Sequence, residues 1–289
     1  MAVSEVVSSG SALAPIERTP LYLWCAYPED VLTEAVSQAC VSMLSEDERK
    51  RWQTFRHERH RREYLTTRIL VRTALSHYHP LAPEAWRFQL NSRGKPSIHP
   101  DYGMRFNVSN SPGLVVCLIS RGPEVGVDTE PYEHKEKIAE LANQVFSPLE
   151  LAQIYALHGS ERLDRALSLW TLKEAYIKAR GVGLSLGLNQ FSFLFGGVGG
   201  IRLEPDPYGA DHSYRCWRYC LLEHAGHRIA LFVESETLPE LQLSVAWPLL
   251  TPPVRPTTCE EPWFPASVVL DLAGRVCFAP GRAEKYGCD

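Results

Sequence analysis

LSLWTLKEAYIK, residues 167–178, is the stretch on which the reading of this chain turns. Leu, Ala, Lys and Glu are strong helix formers, and Gly181 and Gly183 stand just beyond as a stop. At helical spacing Trp170, Glu174 and Lys178 share one face, and Lys173 and Ile177 form the adjacent row. Taken alone, the pattern also describes an amphipathic core helix with a Glu–Lys surface pair.

Upstream, Val125-Gly126-Val127-Asp128-Thr129-Glu130 alternates as a strand does. Val125 and Val127 fall on one side, Asp128 and Glu130 on the other. Two carboxylates two residues apart on a strand can share one hard cation, and magnesium prefers carboxylate and phosphate oxygens. A helix 167–178 packed beside this strand would add Glu174 as a third carboxylate and Lys178 as a neighbouring cation. The plain alternative is a strand end entering a polar turn at Pro131.

Together the two stretches resemble the paired signature of the Sfp-type 4'-phosphopantetheinyl transferases, G-[VI]-D-x-E followed by W-[ST]-x-K-E-[AS]-x-x-K. Gly94-Lys95-Pro96 and Phe106-Asn107-Val108-Ser109 are further matches, in the same order and at comparable spacing. The resemblance covers residues 20 to 245. It implies an α+β fold of two similar α/β halves related by a pseudo-twofold axis, with the active site between them. The halves would be residues 19–122 and 123–248, the second carrying the metal site; residues 1–18 read as a mobile leader and 249–289 as a Pro-rich tail outside the family core.

Composition permits this reading. The chain has 289 residues, 45% hydrophobic and 22% charged, as in an ordinary globular protein of one or two domains. A net charge of −4 gives no general attraction to nucleic acid or an anionic membrane. No apolar run reaches transmembrane length, and no basic-then-hydrophobic leader opens the chain. Eight cysteines are scattered without metal-ligand spacing, so reduced thiols in the cytoplasm are expected.

In chain order, Leu21 to Tyr27 reads as a strand and Val31 to about Leu44 as a helix. Ser45 to Glu48 is a capping box that opens another helix. Nine Arg and Lys residues follow between Arg49 and Arg72. Interleaved Glu48, Glu58 and Glu63 fit a solvated helix; a nucleic-acid surface suits the acidic chain less well. The resemblance assigns this region to the phosphates of coenzyme A, with Arg51, Arg62 and Arg68 as candidates. Trp86 to Leu90 and Leu114 to Ser120 read as strands, and Lys135 to Val145 as one helix. Ser147-Pro148-Leu149-Glu150 caps the next. Phe191 to Phe195, Tyr214 to Leu222, Arg228 to Val233 and Leu241 to Trp247 read as returning strands.

The resemblance also supplies roles. Lys95 would meet a phosphate, as would Ser109 and the next residue. That residue is usually histidine in the family and is Asn110 here, which can hydrogen-bond but cannot supply an imidazolium. Asp128, Glu130 and Glu174 would hold magnesium. Lys178 would neutralise phosphate charge, assisted by Lys173, and Glu150 or Glu174 would accept the serine proton. The reaction implied is magnesium-dependent transfer of 4'-phosphopantetheine from coenzyme A to a serine of an acyl or peptidyl carrier protein, with release of 3',5'-ADP, by a cytoplasmic monomer. The alternative is a coenzyme A or carrier-protein binding module without transfer.

Overall fold

The protein, as a computed structural model, is described over residues 20–30, 34–183, 186–196, 201–204, 217–235, 240–245, 268–270 and 276–278. The expected leader and most of the tail lie outside these residues. The first half comprises β1 (Pro20–Ala26), α1 (Glu34–Met43), α2 (Glu46–Thr54), α3 (Glu58–Tyr78), the hairpin β2 (Phe88–Leu90) and β3 (Pro96–Ile98), β4 (Met104–Ser111) and β5 (Leu114–Arg121). The second comprises β6 (Val125–Pro131), α4 (Lys135–Glu140), α5 (Ala142–Val145), α6 (Pro148–Tyr155), α7 (Gly159–Arg180), the hairpin β7 (Ser192–Phe195) and β8 (Ile201–Glu204), β9 (Trp217–His224) and β10 (His227–Glu234). β11 (Glu240–Val245), β12 (Val268–Leu270) and β13 (Val276–Phe278) close the chain.

Two sheets carry the molecule. One has the order β13-β12-β11-β1-β5-β4, the other β6-β10-β9. Period-two alternation explains how they stack. On β1, Leu21, Leu23 and Cys25 face the second sheet, and so do Leu114, Val116 and Leu118 of β5. They meet Val125 and Val127 of β6 and Ile229, Leu231 and Val233 of β10 in one buried layer. The intervening residues, Trp24 of β1 and Val115, Cys117 and Ile119 of β5, face the other way onto Leu65, Ile69, Leu70 and Leu75 of α3. Across the molecule α7 covers the second sheet, with Leu172, Tyr176 and Ala179 in one cluster with Trp217 and Phe232 of that sheet and Phe193 of the β7–β8 hairpin. Each half is therefore a sheet under one long helix, and the two sheets pack back to back.

The sheets come together along β4 and β6. There the Asn107 side chain accepts a hydrogen bond from Val127 N at 2.9 Å, standing in for a ladder bond between the halves. β11 runs parallel to β1, with Leu241 opposite Leu21, and so returns the end of the second half to the first half's sheet.

Two expectations change. The helix expected over 135–145 is broken at Leu141, whose φ of −86° and ψ of 0° belong to a tightened turn. The strand expected from Trp86 begins at Phe88, after a short turn at Pro83–Ala85. Within the residues expected to form the tail, β12 and β13 extend the first sheet beyond β11.

Candidate active site

α7 presents a narrow open stripe. Trp170, Glu174 and Lys178 are partly exposed while their neighbours Leu172, Lys173, Ala175, Tyr176 and Ile177 are buried. β6 lies directly under this helix because Gly126 has no side chain. A Cβ there would stand 2.3 Å from Ala175 O and 2.4 Å from Ala179 N, inside both backbones. The missing Cβ lets Asp128, two residues on, rise beside Lys178.

The polar contacts follow from that approach. Lys178 Nζ donates to Asp128 Oδ1 at 2.7 Å and to Ser109 Oγ at 2.8 Å. Ser109 Oγ in turn donates to Asp128 Oδ1 at 2.9 Å. Three elements from both halves, β4, β6 and α7, thus converge on one carboxylate that is 4% exposed. Its other oxygen, Oδ2, is buried without a hydrogen-bond partner. Burial raises the Glu174 carboxyl above the usual range; Asp128 and Glu130 add to the rise and Lys178 opposes it. Glu130 is anchored elsewhere: Oε1 accepts from Trp170 Nε1 at 3.0 Å and Oε2 meets His134 Nδ1 at 2.8 Å. Among the described residues no three His, Cys, Asp or Glu side chains already stand spaced to enclose an ion. Asp128 and Glu130 stand near enough to Glu174 to act on it electrostatically, and these three are the carboxylates that could hold one.

Two adjoining cavities open beside this cluster. The smaller, about 260 Å³, is lined by Glu174, Lys178, Asn107, Val108 and the Arg93–Pro96 turn. The larger, about 500 Å³, is lined by Phe55, His60, Tyr64, Arg68, Leu90, Val108 and Asn110. Gly94, Pro96 and Val108 border both. Arg68, stacked over Tyr64 at 5.0 Å, faces the larger cavity. Arg51 lies over Phe55, 5.4 Å from the ring centre, and itself lines neither cavity.

Four expected site residues are placed differently. Glu150 and Lys173 are each other's partners: Lys173 Nζ lies 2.8 Å from Glu150 Oε2, and both side chains are 0% exposed. Glu150 also accepts from Ser147 N at 2.9 Å and Phe193 N at 2.8 Å. Lys173 directs its other two donors to Leu188 O and Phe191 O, both at 2.6 Å. Every polar atom of the pair is occupied and sealed from solvent, so neither a proton acceptor nor a phosphate ligand is available there. Burial pushes the Lys173 ammonium down to about 8 against the pull of Glu150. Arg62 points to Glu58, at 3.3 Å, and Glu29, at 3.6 Å, and lines neither cavity. Lys95 lines the smaller cavity, but its ammonium is already bonded to Glu124 and to backbone carbonyls of Val125 and Ala179.

Sequence reasoning did not single out Asn107 as the stitch between halves, although it lies inside the Phe106–Ser109 block. It also missed His134 as a partner of Glu130. The spacing of four across Pro131 was the available signal, but a turn after a strand does not fix which side chains meet.

Two family models match the chain in tandem. "4'-phosphopantetheinyl transferase, N-terminal" matches residues 33–121, and "4'-phosphopantetheinyl transferase superfamily" matches residues 124–232. A 4'-phosphopantetheinyl transferase of Bacillus subtilis is 30% identical over 202 residues, spanning 67% of this chain and 89% of its own length. The 4'-phosphopantetheinyl transferase Sfp of Bacillus subtilis strain 168 is 29% identical over 215 residues, 74% of this chain and 92% of its own. A solved holo-(acyl-carrier-protein) synthase of Bacillus anthracis overlaps 39% of the chain and 96% of its own at 19% identity and a TM-score of 0.34. The tandem family matches, together with relatives aligned over nearly their whole length, establish that this chain belongs to the 4'-phosphopantetheinyl transferase family and is an enzyme of that class.

Proposed function

We propose that the chain transfers the 4'-phosphopantetheine arm of coenzyme A to a serine of an acyl or peptidyl carrier protein, with magnesium, releasing 3',5'-ADP. The observation that carries this reading is the buried, unpartnered Oδ2 of Asp128, whose other oxygen is bonded to Lys178, while Lys178 and Glu174 line the smaller cavity. Magnesium fits that donor set, since it is commonly held by one or two carboxylates with phosphate and water completing its shell. Bound there, it would offset negative charge on the phosphoryl oxygens.

The chain's own residues account for the remaining needs. In-line displacement at phosphorus depends on positioning and charge neutralisation more than on covalent catalysis. Lys178 has three N–H donors, of which Asp128 and Ser109 take two, leaving one for a phosphate oxygen. Arg68 and Asn110 line the larger cavity, where the nucleotide end of coenzyme A would lie. Glu174 is the proton acceptor in this reading, because a carboxylate held above its usual range is the stronger base. A cytoplasmic monomer is part of the same proposal. Among the described residues no helix is long and apolar enough to cross a membrane.

Intact mass of an unmodified carrier protein, after incubation with this chain, coenzyme A and magnesium, tests the proposal. A gain of one phosphopantetheine, lost with EDTA and with Asp128→Ala, is the expected result. Asn110, standing where histidine is usual, motivates the rival reading of a binding module. Tight coenzyme A binding with no gain on any of a panel of carriers would support that rival and overturn the transferase reading.

A further inference from the structure

Lys95 is bonded into the frame of the molecule, and the bonds it makes join the two halves at the end of α7. Its Nζ donates to Ala179 O at 2.7 Å, to Glu124 Oε2 at 2.6 Å and, at longer range, to Val125 O at 3.3 Å. Ala179 O is one of the carbonyls a helix leaves unpaired in its last turn, and an ammonium there also suits the negative end of the helix. Asn91, on the same β2–β3 turn, donates from Nδ2 to Gly181 O at 3.0 Å. Its Oδ1 meanwhile accepts from Arg93 N and Lys95 N and so holds the turn in shape. The fit is close. Gly181, at φ 64°, has its missing Cβ position 2.8 Å from Lys95 Cδ and 3.2 Å from Asn91 Nδ2, so the turn presses onto the helix end where only glycine leaves room.

The consequence lies one residue back. Lys178 reaches to Ser109 and Asp128, while the very next residue is held by Lys95. Successive residues of α7 are therefore tied to the first half in two ways: through a side chain at the acidic cluster, and through a backbone carbonyl at the hairpin. We infer that Lys95 is a positioning residue: it clamps the C-terminal turn of α7 to the β2–β3 hairpin and thereby sets Glu174 and Lys178 against Asp128. This inference rests on the transferase reading above. It assigns Lys95 no role at the phosphates of coenzyme A, which the resemblance had implied.

The two roles separate in kinetics. If Lys95 held a phosphate, its removal would weaken coenzyme A binding. If Lys95 is a clamp, its removal would misplace groups that act in the transition state, where small displacements cost large factors. Lys95→Met keeps the aliphatic stem against Gly181 and removes the three donations. The expected result is a kcat 10- to 100-fold lower, with the KM for coenzyme A and its direct calorimetric affinity in EDTA changed less than about threefold. Asn91→Asp is the second variant: it keeps the Oδ1 acceptor that shapes the turn and removes the donation to Gly181 O. It should show the same selective fall in kcat, several-fold in size, and it keeps the inference testable if Lys95→Met does not fold. An unchanged kcat in a folded variant, or a loss of coenzyme A affinity as large as the loss of kcat, would overturn the inference. Failure of the wild-type chain to modify any carrier would instead strike the transferase reading, so the two failures are distinct.

Discussion

Replacing Glu150 by glutamine tests the chemistry of the second half most sharply, because two readings of that residue predict opposite outcomes. In the structure Glu150 joins three elements: it closes the capping box at Ser147, it accepts from Phe193 N at the start of β7, and it pairs with Lys173 of α7. Glutamine keeps the volume but has a single carbonyl oxygen for three donors, and it turns an amide N–H₂ toward donors. Removing one partner of a buried ion pair costs about 3–5 kcal/mol, because the other charge is left uncompensated. For a chain of this size that corresponds to a fall in Tm of roughly 5–8 °C. The loss has a pH signature. The Lys173 ammonium already sits at about 8 with Glu150 beside it, and Glu150 is what pulls it up, so the variant's lysine falls lower still. A lysine whose folded pKa lies below its unfolded value is neutral in the folded state while still protonated when unfolded. Stability therefore rises with pH from the folded pKa up to the unfolded one. In the variant that recovery begins at lower pH than in the wild type, so the Tm deficit should be largest near pH 6 and shrink toward pH 9. Thermal unfolding by circular dichroism across that range reads it, with carrier modification per folded molecule measured at a temperature below both transitions. A Glu150→Gln protein of wild-type stability that has lost turnover by a hundredfold would refute the structural role and restore Glu150 as the base.

Other substitutions address the site directly. Asp128→Asn should fold, since its neighbours keep hydrogen-bonding partners, yet lower the rate of carrier modification by roughly a hundredfold or more through loss of a large electrostatic term. A near-normal rate would exclude Asp128 from charge neutralisation. Gly126→Ala puts a Cβ into two backbones and should cost at least the ~1–3 kcal/mol typical of overpacking, read as a lower urea midpoint. Glu174→Gln should raise Tm in metal-free buffer at neutral pH. The wild-type carboxyl is held above its ordinary range, so the folded state retains a proton that the unfolded state has lost, and stability falls as pH rises from the ordinary value through the raised one. Below the ordinary carboxylate range the two proteins should converge. Arg68→Ala should raise the KM for coenzyme A several-fold while Arg62→Ala leaves it unchanged, because the first lines the larger cavity and the second faces exposed glutamates. Equal effects would remove the cavity from the binding surface.

What the sequence made legible was periodicity close to the motif. The strand alternation of residues 125–130 correctly separates Val125 and Val127, which enter the layer between sheets, from Asp128, which faces α7. The spacing of four likewise predicted the open stripe Trp170–Glu174–Lys178. Periodicity says which residues share a face and nothing about what that face meets. Lys173 sits one position from Glu174, yet the two differ wholly in environment: one is sealed under Phe191 and the other looks into a cavity. Only the tertiary position of α6 and of the turn before β7, which supply Glu150, Leu188 and Phe191, decides this, and no local pattern records it. Glu150 shows the same limit. Its capping box was readable from Ser147 and Pro148, but the buried ammonium that completes its coordination comes from another helix.

With Glu150 enclosed, the choice of proton acceptor narrows by geometry. Asp128 is bound on Oδ1 by a lysine and a serine, and Glu130 is engaged on both oxygens by Trp170 and His134. Asn110 cannot titrate near neutrality. Among the acidic side chains of the cluster, Glu174 alone both lines a cavity and has its carboxyl raised by its surroundings. Burial raises it most, and the neighbours that add to the rise, Asp128 and Glu130, are those a cation would neutralise, so ion binding and proton acceptance would compete for one carboxylate. A base that must also hold an ion loses strength when the ion arrives. Activity limited by Glu174 should then show its acidic limb at lower pH as magnesium is raised, because the ion stabilises the ionised carboxylate. A limb that stays fixed while magnesium varies would mean that the titrating group stands apart from the ion, and would return the search for the base to residues outside this cluster.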